Sequence, residues 1–95
     1  MFIGVLRLEY HLHGNDSLKG KRRVAASLKQ KMRTKFNVAV SEVESQDDHA
    51  RLVLAAVTVG PDTKVVEGRL QKTLNMVEAV CDEDLVDSSV EIFSD

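Results

Sequence analysis

Residues 2–12 alternate between apolar and mixed positions. Phe2, Leu6, Leu8, Tyr10 and Leu12 share one side of an extended chain, with Gly4 in the same row, while Ile3, Val5, Arg7, Glu9 and His11 share the other. A period of two predicts a strand with one face in a core. "HGND" at 13–16 reads as a turn. Ser17 is then suited to cap a helix, because Leu18, Ala25, Leu28, Met32 and Phe36 recur at spacings of 3, 4 and 7. Such a stripe over roughly 20 residues implies a helix about 30 Å long.

"NVAVSEVE" (37–44) is rich in β-branched residues and predicts a second strand, and "SQDDHA" (45–50) is a polar hairpin loop. "RLVLAAVTVG" (51–60) does not alternate. Both of its sides are apolar, which marks a central strand or one with a covered outer face. Gly60-Pro61-Asp62 ends it, and Asp62 is placed to cap a second helix. The apolar stripe of that helix is Val66, Leu70, Leu74 (or Thr73), Val77 and Cys81. "DED" (82–84) is a loop, and "VDSSVEIF" (86–93) alternates as a last strand with Val86, Val90 and Ile92 on one face.

The order β-α-β-β-α-β predicts an α+β, ferredoxin-like sandwich: a four-stranded antiparallel sheet, order 4-1-3-2, with both helices on one face. With 95 residues and no internal linker or repeat, residues 1–95 form one domain. A chain of this size buries only about 60–65% of its unfolded surface, so a single two-layer core is expected.

Composition narrows the chemistry. A single cysteine, Cys81, excludes an internal disulfide and a cysteine zinc cluster, and it fits the cytoplasm best. The apolar start has no basic leader and is interrupted by Arg7 and Glu9, so it is neither a signal peptide nor a membrane span. No catalytic motif stands out, and no cofactor is implied.

Charge is unevenly distributed. The net charge is −2, yet residues 17–36 hold eight of the 13 basic residues and no acid. Residues 1–60 carry ten Lys/Arg against six Asp/Glu, and residues 61–95 carry three against nine. An ordinary solvated helix face would mix in Glu, because i,i+4 Glu–Lys pairs stabilise helices. On a helical wheel Arg22, Lys29 and Arg33 form a row on one shoulder of the apolar stripe with Lys19 beside it, and Lys31 and Lys35 lie on the other. Lys21 and Arg23 add to the positive helix start, where free N–H groups also favour anions.

The topology brings the end of strand 1, the start of helix 1, the 45–50 loop and the start of strand 3 to one edge. That edge collects Glu9, His11, His13, Gly14, Lys19, Lys21, Arg22, Gln46, Asp47, Asp48, His49 and Arg51. The opposite edge reads as plainer.

Several stretches carry a family resemblance: "IGVLRLEYHLHG", the helix start "SLKGKRRV", and "FNVAVSEV" followed by Gln46, Asp47 and Arg51. Together they resemble the YlxP-like family of small bacterial proteins, over nearly the whole chain and most strongly over residues 3–59. The resemblance implies a ferredoxin-like fold, a setting among translation factors and no established enzymatic activity. Ser17, Leu18, Lys19, Lys21, Arg22 and Arg23 match the family's helix motif. Phe36, Asn37, Glu42, Gln46, Asp47 and Arg51 match its second motif, and Glu9, His11 and Gly14 match its first. Gly20 stands where the family usually has Glu, His13 where Pro is usual and His49 where Trp is usual. Without that Glu the capping box loses one partner, which leaves the helix start more positive and more flexible.

Three functional expectations follow. The first is a non-enzymatic binding module that contacts RNA or a ribosomal particle through helix 1. Lys19, Lys21, Arg22, Arg23, Lys29, Arg33 and Arg51 would serve as the anion-binding set, with Glu9, His11, Gln46 and Asp47 shaping the polar edge. Base stacking on the sheet is not expected, since strand 3 has no aromatic residue. The second is a homodimer formed through an apolar outer sheet face around Ile3 and Val5. The third is a small-ligand or metal-dependent enzyme using the His11–His13–His49 edge, in which Glu9, His11 and His13 share one strand face and Asp47, Asp48 or His49 approaches from the loop; the leading expectation includes no metal. Arg51 is expected to pair with Asp47 or Glu42, and Cys81 to pack as a small hydrophobe.

Overall fold

In the computed structural model, which describes residues 1–95, the elements are β1 (Phe2–His11), α1 (Leu18–Lys35), β2 (Ala39–Glu44), β3 (Arg51–Gly60), α2 (Thr63–Val80) and β4 (Asp84–Ser94). The sheet is fully antiparallel, in the order β2-β3-β1-β4. That is the 4-1-3-2 order the element sequence predicts, read from the other edge. Both helices cover one side: α1 lies over β2 and β3, and α2 over β1, β3 and β4. Neither helix is long and apolar enough to cross a membrane.

The alternation in β1 decides which row is buried. Leu6, Leu8, Tyr10 and Leu12 meet Ala25, Leu28 and Met32 of α1, Leu52, Leu54 and Ala56 of β3, and Val66, Leu70 and Val77 of α2 in one cluster. Gly4 sits in the same row because α2 comes very close: a Cβ there would lie 2.3 Å from a methyl of Val66 and 2.8 Å from one of Leu70. Within α2 the buried position is Thr73 rather than Leu74, and the Thr73 hydroxyl donates to the Arg69 carbonyl 2.8 Å away. Tyr10 is buried with its hydroxyl unpartnered, and burial pushes its ionisation well above the ordinary range.

Two β-bulges break the simple alternation. In β2, Glu42 pairs with Leu54 and Glu44 with Val53, so Val43 is an extra residue. The two glutamates, two positions apart, consequently point to opposite faces. In β4, Tyr10 pairs with Leu85 and Glu9 with Asp87, so Val86 is extra. Val86 therefore leaves the face shared by Val90 and Ile92, where simple alternation puts it. β4 also begins at Asp84, inside the segment that reads as a loop.

The outer face of the sheet has two halves. At one end Arg7, Glu9, Glu44 and Arg51 cover Val53, which is fully buried although it points away from the helices. At the other end Ile3, Val5, Val57, Val59 and Phe93 lie side by side, and Val57, Val59 and Phe93 are 38%, 51% and 49% exposed.

Candidate nucleic-acid interface

The edge predicted from topology does form, and Lys21 is its centre. Counted along α1, Lys21 lies three residues after Leu18 and four before Ala25, so it falls on the buried stripe. Its side chain is 1% exposed. The ammonium donates to the carbonyls of Ser45 at 2.7 Å, Gln46 at 3.2 Å and Arg51 at 3.3 Å, and it pairs with Glu42 at 2.9 Å. Lys21 thus ties the 45–50 loop to α1, and its charge is already met inside the protein. It is not part of an anion-binding surface, contrary to the sequence expectation. A buried ammonium must find acceptors, and the hairpin supplies them.

Arg51 is also internally engaged. It forms a two-pronged contact with Glu9, at 2.9 and 3.0 Å, reaches Glu44 at 3.5 Å, and donates to the Ser45 hydroxyl. Arg7 completes the network with Glu44 at 2.5 Å, Glu9 at 3.6 Å and Asp87 at 3.7 Å. The Arg51 guanidinium holds the Glu9 carboxyl below its ordinary value of 4.5, and Glu9 in turn raises Arg51. The expected partners of Arg51 were Asp47 or Glu42; its main partner is Glu9 instead, the Val43 bulge turns Glu44 towards it, and Glu42 pairs with Lys21. Ser45, at φ 58°, makes the tight bend that lets one loop serve both cations.

The helix start is built differently from a capping box, and it is not loose. The Ser17 hydroxyl accepts from the Gly20 N–H at 3.0 Å, the first half of the box. In place of the missing acid, Asn15 bridges α1 and the hairpin: its amide donates to the Ser17 carbonyl at 2.9 Å and the His49 carbonyl at 2.7 Å. A Cβ at Gly20 would lie 2.0 Å from the Asn15 side-chain oxygen. Glycine here makes room for the asparagine.

The histidines do not gather. His13 faces Asp84 at 3.0 Å, and His11 meets His13 edge to face with ring centres 4.1 Å apart. Glu9 is taken by Arg51, and Asp48 accepts from the Ala50 N–H at 2.9 Å, which holds its carboxyl below the ordinary carboxylate value. No group of three or more His, Cys, Asp or Glu side chains is placed to hold a metal ion. His49 contributes its carbonyl to Asn15 and is not brought to His11 and His13.

What remains is the outside of α1. Lys19, Arg22, Arg23, Lys31, Arg33 and Lys35 are exposed and Lys29 half-buried, and none forms an ion pair. Lys31 and Lys35 line the groove against Met76 and Val80 of α2, so the Lys19–Arg22–Lys29–Arg33 row occupies the shoulder away from α2. Of the acids in the C-terminal third, Asp84, Asp87 and Glu91 are on β4, the far edge strand of the sheet, while Asp82 and Glu83 line a cleft with Arg23 and Lys31. Gln46 and Asp47 are exposed at the hairpin tip next to the first turn of α1. The edge that reads as plainer holds four cations, Lys35, Lys64, Arg69 and Lys72, around one cleft. They come from two helices that only the tertiary fold brings together.

Residues 3–90 match the model of a family described as proteins of unknown function, DUF503. The uncharacterised protein YlxP of Bacillus subtilis (strain 168) is 30% identical over 77 residues, which cover 81% of this chain and 84% of YlxP. Among solved structures, a putative antibiotic biosynthesis monooxygenase from Nitrosomonas europaea superposes with a TM-score of 0.57 at 13% identity, covering 98% of this chain and 89% of that one. Rv0793 from Mycobacterium tuberculosis does so with a TM-score of 0.56 at 14% identity, covering 100% and 95%. At such identities the likeness is one of fold: an α+β sandwich of ferredoxin-like form.

Proposed function

Since the chain belongs to the DUF503 family of proteins of unknown function, we propose that it is a non-enzymatic binding module that contacts RNA, free or within a ribonucleoprotein particle, through the exposed face of α1. The observation that supports this reading is the unpaired charge of Lys19, Arg22, Arg23, Lys29 and Arg33. The three cations of the sheet and hairpin edge, Lys21, Arg7 and Arg51, bind acids instead, and Arg69 binds a hydroxyl and a carbonyl. Exposed bases without ion pairs along a whole helix, with Asp84, Asp87 and Glu91 on the far edge strand, make a directional field suited to a polyanion.

The sheet does not offer the usual stacking platform. Tyr10 is buried and β3 has no aromatic residue, so contact falls on phosphates and is weakly dependent on sequence. Neutralising about four phosphates gives a log K against log salt slope near −3. Binding to structured ribosomal RNA, followed by fluorescence anisotropy across a salt series, tests this. The Lys19/Arg22/Lys29/Arg33→Ala variant should lose most of the affinity and most of the slope. Absence of binding by the wild type at low salt would overturn the reading.

A second reading rests on a separate observation, the exposed Val57, Val59 and Phe93 beside Ile3 and Val5. These would pair two copies through their outer sheet faces. A monomeric mass at micromolar concentration would count against it.

A further inference from the structure

We propose that the cleft between the C-terminal end of α1 and the N-terminal half of α2 binds the diphosphate or triphosphate group of a small phosphorylated ligand. This site is separate from the α1 row and does not rest on RNA binding. The cleft has a volume of about 460 Å³, and Lys35, Lys64, Arg69 and Lys72 line it with no acidic side chain among them. Four cations around so small a space call for an anion that carries several charges within a few ångströms. A single carboxylate would leave most of that charge unmet, while a chain of two or three phosphoryl groups would not.

Arg69 is the fixed member. One of its terminal nitrogens donates to the Thr58 hydroxyl at 2.6 Å and to the Val59 carbonyl at 2.9 Å. Thr58 is itself 5% exposed and donates to the Asn37 carbonyl at 2.8 Å. The guanidinium is therefore held from behind by a buried hydroxyl, and its remaining N–H groups stay free for a ligand. Lys64 and Lys72 flank Gly68 at intervals of four residues, one turn above and one below.

Gly68 is a second, independent indication. A glycine inside a helix costs about 1 kcal/mol relative to alanine, and close packing usually explains one. Here a Cβ would meet nothing within 4 Å. The residue's effect is to leave the floor of the cleft open between the two lysines. The α2 N-terminus does not supply the site, because Asp62 already caps it through the Val65 N–H at 2.9 Å.

Isothermal titration of the full chain at low salt with inorganic pyrophosphate, inorganic orthophosphate and adenosine diphosphate tests the proposal. One saturable site is expected, with pyrophosphate bound more tightly than orthophosphate. Lys64→Ala and Lys72→Ala should each weaken it about tenfold, as loss of one charge-assisted contact does. Gly68→Glu should abolish it, with the fold checked by circular dichroism. Gly68→Ala should keep it and raise the melting temperature. Lys29→Ala and Arg33→Ala should leave it unchanged. Tighter binding of adenosine diphosphate than pyrophosphate would identify a nucleotide as the source of the group, and equal binding would identify the phosphoryl chain alone. Absence of a saturable site, unaltered binding by Gly68→Glu, or equal losses from the α1 variants would overturn the proposal.

Discussion

The Lys21 ammonium lies 2.9 Å from a Glu42 carboxylate oxygen, on a side chain that is 1% exposed. Removing one partner of a buried pair leaves the other charged and desolvated, at a cost of about 3–5 kcal/mol. Lys21→Met should therefore lower the unfolding free energy by about 3 kcal/mol in urea titrations. It should also release the 45–50 loop, seen as faster amide exchange from Ser45 to Arg51. Lys21→Met with Glu42→Gln should recover part of the loss.

Gly20 and Asn15 should show coupling of opposite sign. Alanine is normally better than glycine in a helix by about 1 kcal/mol. Because a Cβ at Gly20 would lie 2.0 Å from the Asn15 oxygen, Gly20→Ala alone should destabilise the protein. In an Asn15→Ala background the same change should stabilise it. A double-mutant cycle by chemical unfolding reads the sign change directly.

Acid should weaken the hairpin edge. Glu9 and Asp48 are held below their ordinary values by Arg51 and by the Ala50 N–H respectively. The unfolded chain therefore binds protons at a higher pH than the folded one. The stability these groups contribute is complete above their unfolded values of 4.5 and 3.8 and is lost as pH falls through their lower folded values. Unfolding free energy measured from about pH 6 to about pH 3 should fall accordingly, and Arg51→Ala should flatten the part due to Glu9.

Thr58→Val keeps the shape of the side chain and removes the hydroxyl that holds Arg69. Loss of these hydrogen bonds, with an Asn37 carbonyl left short of a donor, should cost about 1–2 kcal/mol. Pyrophosphate affinity should fall with it even though residue 58 does not line the cleft.

Much of this was legible in the chain. The period of two in β1 and the 3-4-7 stripe of α1 gave the elements, their buried faces and the strand order, because burial of one face per element leaves few alternatives. Lys21 is misread in the sequence: its spacing from Leu18 and Ala25 places it in the stripe, but its residue type puts it with the surface cations. The hairpin carbonyls that outweigh residue type come from a loop the spacing does not reveal. The bulges at Val43 and Val86 carry no local signature, and each exchanges ionic partners or faces beyond it. The cleft of Lys35, Lys64, Arg69 and Lys72 was not legible, because Lys35 is remote from the others in sequence and the pairing of Arg69 with Thr58 depends on how α2 settles on β3.

The extra residue in β2 gives that strand a change of phase. Before Val43 the even positions serve the helices; after it the next even position serves solvent, so Glu42 anchors one cation network and Glu44 another. Val43 itself is 44% exposed, and its side chain is free to vary. Its effect on the register is not. Were Val43 removed, Glu42 and Glu44 would become neighbours, and plain alternation would still send them to opposite faces, so a one-residue deletion there should spare both networks. The damaging change is to keep the residue and lose the bulge: regular alternation would then turn Glu44 to the helix side and take it from Arg7 and Arg51. Relatives that lack a residue at this point would be expected to keep Lys21 and Arg51 together.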